Sequence, residues 1–195
     1  MKLQNSQKTE NRQAEIFDLY DVNRKPLGLT MERGTRQPPN TYRLVVHVCI
    51  FSSDGKMLCQ KRVASKKVYP DLWDVSCGGC VDKGESSVEG ALRETREELG
   101  LTLPENLRPS LTVHFNYGFD DVYCVTMDVC TDKVKLQAEE VAEIQWLTER
   151  QICDLIDDGK FVPYDKSYVA YLFYCQHHRG LTDKEKPLQG DVKFN

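Results

Sequence analysis

The stretch from Gly79 to Leu101, GCVDKGESSVEGALRETREELGL, decides the fold because it joins a glycine loop to a strongly charged helix. Ser86 and Glu89 match the capping box that begins a helix, and Gly100 stands where a helix ends in a left-handed residue. No proline interrupts the residues between them. The apolar-rich run LWDVSC at 72–77 precedes the loop. The segment therefore predicts a strand, a glycine loop and an acidic helix, in that order.

One face of this predicted helix is apolar or small, and it is expected to be buried. Its members are Val88, Ala91, Leu92, Thr95 and Leu99. This pattern leaves the glutamates on a different face. Gly90 costs about 1 kcal/mol relative to alanine inside a helix. We therefore expect another backbone to approach the helix closely at Gly90.

Three carboxylates stand at i, i+3 and i+4 on the helix, namely Glu94, Glu97 and Glu98, and they project from one face. Like charges at this spacing repel by a few tenths of a kcal/mol per pair, so a purely structural helix gains nothing from them. A divalent cation with oxygen ligands would reverse the sign of that interaction. The alternative is an exposed helix with surface ion pairs, which explains neither the glycine loop nor the spacing from Gly79 to Arg93.

These residues resemble the Nudix box, a family motif of glycine, five residues, glutamate, seven residues, and then Arg-Glu-hydrophobic-any-Glu-Glu-any-Gly-hydrophobic. The seven fixed positions are filled by Gly79, Glu85, Arg93, Glu94, Glu97, Glu98 and Gly100. Leu101 fills the final hydrophobic position. Thr95 departs from the pattern, because an aliphatic residue is usual there, but its methyl group can still face the core.

The resemblance implies hydrolysis of a diphosphate linkage with Mg²⁺ or Mn²⁺ as cofactor. The implied metal ligands are the Gly79 carbonyl and the carboxylates of Glu94, Glu97 and Glu98, one of which assists the attacking water. Glu85 and Arg93 complete the implied catalytic set, since their ion pair would fix the loop against the helix. Many relatives take a further carboxylate from a late loop, for which the candidates in this chain are Glu139, Glu140 and Glu143.

Substrate-binding candidates lie near this motif. Lys61 and Arg62 end a predicted strand and could hold a phosphate, and Trp73 could stack on the organic group. Exposed basic residues at a strand end are equally common without such a role, and aromatic residues on strands mostly belong to the core. His47 alternates with valines on a predicted strand, which is typical of a packed or site-lining residue.

A second function is open because YDVNRKPLG and QKRVASKKVYPDLWDVSCGG resemble the Nudix subgroup of isopentenyl-diphosphate isomerase. Cys77 lies close to the position of the cysteine used by the isomerase. Its partners do not follow, since Gly78 and Arg43 stand where histidines are expected, and Asp120 or Asp121 stands where a glutamate is expected. A binding module without catalysis is a third class, although degenerate boxes are its usual sign and this box is complete. Hydrolysis is the favoured interpretation.

Composition is ordinary for a soluble enzyme: 195 residues, 40% hydrophobic, 29% charged and a net charge of −4. No apolar run approaches the roughly 20 residues of a membrane span, and the polar start MKLQNSQKTENRQAE lacks a signal-peptide core. We expect a cytoplasmic protein with a small-molecule diphosphate substrate and no extended nucleic-acid partner; a homodimer stays open. The eight cysteines are expected to be reduced, with Cys77 and Cys80 in a loop beside the site rather than holding zinc or a redox pair.

The remaining pattern predicts an α/β/α sandwich with a mixed central sheet, which is also the Nudix-type fold that the resemblance implies, formed by residues 15–179 between flexible tails at 1–14 and 180–195. Hairpins are predicted over 15–34 and 42–62, and a third from Leu111–Phe119 and Val122–Val129. A short strand follows at Ile144–Leu147. Further helices are predicted to begin at Thr148 and to span Lys166–His178.

Overall fold

A computed structural model of the chain describes residues 14–177. Its nine strands are β1 Ile16–Tyr20, β2 Pro26–Glu32, β3 Arg43–Phe51, β4 Met57–Arg62, β5 Trp73–Asp74, β6 Cys77–Cys80, β7 Leu111–Phe115, β8 Gly118–Thr126 and β9 Val141–Leu147. Its α-helices are α1 Ser87–Leu99, α2 Glu149–Asp157 and α3 Lys166–His177. A 3₁₀ turn spans Thr131–Lys133. The tails expected at 1–14 and 180–195 lie outside the described residues, apart from Ala14, and so does His178 at the end of the predicted last helix.

The sheet is mixed, as predicted. β3 runs parallel to β8 along its whole length and antiparallel to β6 over Val45–Val48. The antiparallel partner of β8 is β7, while β4 pairs with β5 and β9. β1 and β2 form a separate two-stranded sheet. The β4 strand pairs with β3 only at the turn, through Phe51 and Met57, so the predicted second hairpin opens and β6 takes its place beside β3.

Two apolar layers cover the two faces of the sheet. Alternate β3 residues such as Val46 and Val48 pack with Ala91 and Leu99 of α1. Residues of the opposite parity, such as Cys49, pack with α2 and α3. The α/β/α sandwich predicted from the sequence is therefore confirmed. No helix within residues 14–177 is long and apolar enough to cross a membrane.

The ends of helix α1 lie where the sequence predicts them. The Ser86 hydroxyl accepts from the Glu89 backbone N–H while the Glu89 carboxylate accepts from Ser86, and Gly100 ends the helix at φ 63°. The expectation that another backbone approaches the helix at Gly90 was wrong. A Cβ there would lie 2.9 Å from Cγ2 of Val81, which is a side chain and not a backbone atom.

Two further corrections concern turns and burial. The third hairpin turns at 116–117 rather than at 120–121, because Asp120 and Asp121 lie within β8 and form contacts across the sheet. Asp121 is fully buried and accepts a hydrogen bond from Arg24 at 2.8 Å. The alternative of an exposed helix with surface ion pairs is wrong for Glu94 and Glu98, which are buried at 9% and 5% exposure.

Candidate active site

A cleft opens between the glycine loop, helix α1 and three neighbouring loops. Strand β6 and α1 contribute most of it, and the β1–β2 hairpin, the β4–β5 loop and the loop before β9 close its sides. The lining residues are Glu15, Arg33, Lys66, Gly78, Gly79, Asp82, Arg93, Glu94, Glu97, Glu98, Gln137 and Glu140. The structure thus brings together the predicted metal-binding residues and Arg93.

Gly79 gives Glu94 its position. A Cβ built on Gly79 would lie 2.2 Å from Oε1 of Glu94 and 2.5 Å from its Cδ, so no side chain fits between β6 and the carboxylate. This close approach is a physical reason for glycine at the first position of the motif. It places the Glu94 carboxylate directly against the backbone of strand β6, since Gly78 and Gly79 lie in this strand rather than in the predicted loop.

Arg93 links the loop to the helix, as predicted from the sequence. Its Nε and Nη2 donate to the Glu85 carboxylate at 2.9 and 3.0 Å, and Nη2 also donates to the Cys80 carbonyl at 3.0 Å. Nη1 donates to Glu94 at 2.9 Å and to Glu97 at 3.2 Å. Burial lowers the pKa of Arg93, but the bonds and charges of Glu85 and Glu94 outweigh it and raise the pKa. The guanidinium therefore stays charged and holds both carboxylates in place.

Glu98 is the most deeply buried acid of the helix. Burial and the nearby charge of Glu94 raise its pKa and a hydrogen bond from Gln60 lowers it, with a net pKa of about 7. Nε2 of Gln60 donates to Oε2 of Glu98 at 3.0 Å. Burial likewise raises the pKa of Glu94, against the lowering effect of Arg93. Two adjacent carboxylates are thus held in a poorly solvated place where ionisation is costly.

This donor set fits a hard divalent cation. It supplies only oxygen ligands, and a bound cation would lower the raised pKa values of both buried acids. Oε1 of Gln60 is buried beside Glu98 without a hydrogen-bond partner among the described residues. No group of three or more acidic, histidine or cysteine side chains in residues 14–177 is already arranged around a metal position. In this structure Arg93 bonds both Glu94 and Glu97.

Two cation–carboxylate pairs flank the cleft, and sequence reasoning missed three of the four residues. Arg33 pairs with Glu15 beside the β1–β2 hairpin, and Lys66 of the β4–β5 loop pairs with Glu140. Glu140 is the member of the predicted late acidic group that lines the cleft, whereas Glu139 is exposed and Glu143 lies opposite Lys61 in the β9–β4 pairing. No local motif in the sequence indicates a role for Arg33. It reaches the cleft only because the β1–β2 hairpin folds beside the motif.

The residues predicted to bind substrate do not line this cleft. Lys61 forms an ion pair with Asp71 at 2.8 Å, and Arg62 donates to Asp74 at 3.1 Å. The Trp73 backbone N–H donates to the Lys160 carbonyl, and the indole packs against the core on the α2–α3 side. Each of the three has a structural partner, because β4 pairs with β5 and β9 rather than with the strands of the cleft.

Cys77 does not face the cleft. It is fully buried, its Sγ lies 3.2 Å from Oγ1 of Thr95, and burial raises the pKa of its thiol well above the usual value. Cys80 is free and half-buried, and burial raises its pKa too. Thr95, which departs from the family pattern, thus contacts this thiol, and its hydroxyl donates to the Ala91 carbonyl. A buried, protonated thiol is a poor proton-transfer group.

The fold and this site define a class of α/β/α proteins in which a glycine-containing strand meets a carboxylate-rich helix. A model of the NUDIX domain family matches residues 41–172. An uncharacterized Nudix hydrolase of Listeria innocua is 42% identical over 151 residues, covering 77% of this chain and 89% of the relative. An isopentenyl-diphosphate Delta-isomerase of Salmonella heidelberg is 33% identical over 137 residues, covering 66% of this chain and 74% of that protein.

The chain belongs to the Nudix family, and its relatives include proteins named Nudix hydrolases. A solved structure from Deinococcus radiodurans superposes with a TM-score of 0.67 over 83% of this chain and 99% of that one, at 24% identity. A MutT protein of Methanosarcina mazei superposes with a TM-score of 0.51 over 71% and 96% of the two chains, at 21% identity. These likenesses establish the fold. Residues 16–32, which form β1 and β2, lie before the matched family region.

Proposed function

We propose that this protein hydrolyses a diphosphate linkage in a small organic diphosphate, a nucleoside derivative or another small molecule, by attack of water at phosphorus with Mg²⁺ or Mn²⁺ bound. The observation that carries the proposal is the cleft in which Gly79, Arg93 and three glutamates meet. The Gly79 carbonyl, Glu94, Glu97 and Glu98 would hold the cation. When bound, the cation lowers the pKa of water and neutralises charge on the transferred phosphoryl group.

Residues of the chain would position the carboxylates and accept a proton from water. Arg93 and Glu85 hold the glycine loop against α1, so the carboxylates are aimed before substrate arrives. Glu97 is the most exposed of the three acids, at 52% of its side chain. It is therefore the carboxylate with room to contact water and accept its proton.

Isomerisation through Cys77 is the weaker alternative. It needs a cysteine that reaches substrate, and the buried position of Cys77 against Thr95 argues against this. The relatives named as isomerases explain the resemblance without requiring their chemistry here. The non-catalytic alternative predicts that neither Mg²⁺ nor Mn²⁺ binds.

The test is release of phosphate-containing products from a panel of diphosphates, including isopentenyl diphosphate, with Mg²⁺ or Mn²⁺. Glu97→Gln removes one proposed ligand, and Glu149→Gln is the matched control at an exposed glutamate of α2. We expect metal-dependent turnover of at least one member, lost in Glu97→Gln and kept in Glu149→Gln. Conversion of isopentenyl diphosphate to its isomer, lost in Cys77→Ala, would overturn the proposal. So would failure to bind either cation.

A further inference from the structure

His47 lies on the face of the sheet opposite α1, at the edge of the layer formed by α2 and α3. Its neighbours along β3, Val46 and Val48, face α1, whereas Cys49 faces the other layer and is fully buried. His47 is two residues before Cys49 and points the same way, but 24% of its side chain is exposed. The covering layer therefore ends at His47.

The two glycines of β6 bring His47 close to the site already described. Gly78 pairs with His47 in the sheet, and a Cβ on Gly78 would lie 2.6 Å from Cδ2 of His47 and 2.6 Å from the Val46 carbonyl. Gly79 excludes a side chain on the other face because of Glu94. The backbone at Gly78–Gly79 is thus held between an imidazole ring on one face and a carboxylate on the other. Only one peptide unit separates their points of contact.

Asp120 fixes the orientation of the ring. Its Oδ2 lies 2.7 Å from Nδ1 of His47, so the imidazole spans from β8 to β6, where Cδ2, the ring atom bonded to Nε2, lies nearest to the position of a Gly78 Cβ. Oδ1 of Asp120 is buried and has no hydrogen-bond partner among the described residues. Burial lowers the pKa of His47, but the charge and hydrogen bond of Asp120 raise it to about 9. The contact with Asp120 holds a proton on Nδ1, and Nε2 has no hydrogen-bond partner within residues 14–177.

We propose that Nε2 of His47 binds a phosphate oxygen of the substrate at the edge of β6, across the backbone from Glu94. This assignment deepens the proposed function, on which it rests for the class of substrate. A phosphate suits the position because an imidazolium donates a charge-assisted hydrogen bond to an anionic oxygen. The glutamates of the cleft repel the same anion, so a cation on the opposite face of β6 orients it.

The competing explanation is a structural tie, in which the pair of His47 and Asp120 only joins β3 to β8. A structural tie needs Nδ1 alone. It requires neither an exposed ring nor a glycine that makes room for Cδ2. The two explanations differ in what happens at His47 when a phosphate ligand is added, and this difference can be measured.

The experiment uses methylene diphosphonate, which is not hydrolysed at its bridging carbon, in the presence of Mg²⁺. The ring resonances of His47 in the full-length wild type are followed by NMR, and dissociation constants are measured by calorimetry. His47→Gln is compared with His114→Gln, an exposed histidine on β7. We expect a saturable shift at His47 and a dissociation constant raised about ten-fold or more in His47→Gln. His114→Gln should bind like the wild type.

Three results would overturn the assignment: a silent His47 resonance while the diphosphonate binds, no binding by the wild type, or a shift caused by adenosine and not by the diphosphonate. The wild-type resonance test needs no variant, so a misfolded His47→Gln protein would not obscure it. Because the probe is not turned over, the outcome is separate from hydrolysis. Diphosphonate binding at His47 without activity in the substrate panel would refute the proposed function alone.

Discussion

Two charged regions are conspicuous in the sequence, the box helix α1 and the end of strand β4, and they differ in how their charges are balanced. On α1, Glu94 and Glu98 are buried with raised pKa values beside one guanidinium that already serves Glu85 and Glu97. At the end of β4 each cation has its own acid, Asp71 or Asp74. The first region has excess negative charge, whereas the second is neutral.

This difference separates a binding site from a structural surface. Buried charge without compensation is unfavourable unless a ligand supplies the opposite charge. At the end of β4 the nitrogens that would bind a phosphate already contact Asp71 and Asp74, so these ion pairs would have to be rearranged first. The predictions below change one region or the other and ask whether the contrast holds.

The largest expected effect is on the activity of Glu98→Gln. Removal of one proposed ligand should lower metal-dependent turnover by at least about a hundred-fold, since even residues that only orient ligands cost 10 to 100-fold. The measurement is the rate at saturating Mg²⁺ for whichever panel substrate is hydrolysed. A rate within a few-fold of the wild type would remove Glu98 from the site.

The same substitution should stabilise the metal-free protein at high pH. The pKa of Glu98 is about 7 in the folded state against an ordinary 4.5, so its contribution to stability is fully present below pH 4.5 and is lost as the pH rises through 7. Glutamine does not titrate. In EDTA, we expect Glu98→Gln to exceed the wild type by about 3 kcal/mol at pH 8 and to differ little at pH 4.5. Urea unfolding at both pH values tests this, and equal stabilities at pH 8 would contradict it.

The second prediction concerns Arg93→Gln. This side chain is 22% exposed and bonds Glu85, Glu94 and Glu97, so its loss leaves buried carboxylates without a cation. We expect a loss of about 3 kcal/mol in the free energy of unfolding at pH 7. Arg150→Gln is the matched control at a 92% exposed side chain, with an expected change below about 0.5 kcal/mol. Similar losses in the two variants would show that the box ion pairs are ordinary surface pairs.

The sequence predicted α1 and its carboxylates well because the signals there are local. Capping, helical spacing and glycine placement all act within 23 residues, and the structure has the cap at Ser86 and the end at Gly100. Arg33 and Glu15 were missed because a hairpin outside the matched family region carries them to the cleft. The ion pair that neutralises Lys61 was missed because its partner, Asp71, lies in the loop between β4 and β5. Long-range pairing of this kind leaves no periodic trace in a single sequence.

The third prediction tests the packing beneath α1. Gly90→Ala gains helix propensity of about 1 kcal/mol, but its Cβ would lie 2.9 Å from Cγ2 of the buried, branched Val81. Overpacking against a stiff side chain costs more than this gain, so we expect a net loss of about 1 kcal/mol. In a Val81→Ala background the same change should become stabilising. Urea unfolding of the wild type, the two single variants and the double variant gives a double-mutant cycle. A coupling energy near zero would show that Val81 is not the obstacle.

The smallest expected effect is that of Lys61→Met, which removes the charge at the end of β4. Because Lys61 already pairs with Asp71 across exposed surface, binding a phosphate would require breaking that pair. We expect KM within about two-fold of the wild type and a change in unfolding free energy below about 0.5 kcal/mol. Steady-state kinetics on the hydrolysed substrate measures the first quantity. A rise in KM of about five-fold or more, with kcat unchanged, would mean that the lysine leaves Asp71 for substrate, and the end of β4 would then belong to the binding site despite its neutral balance.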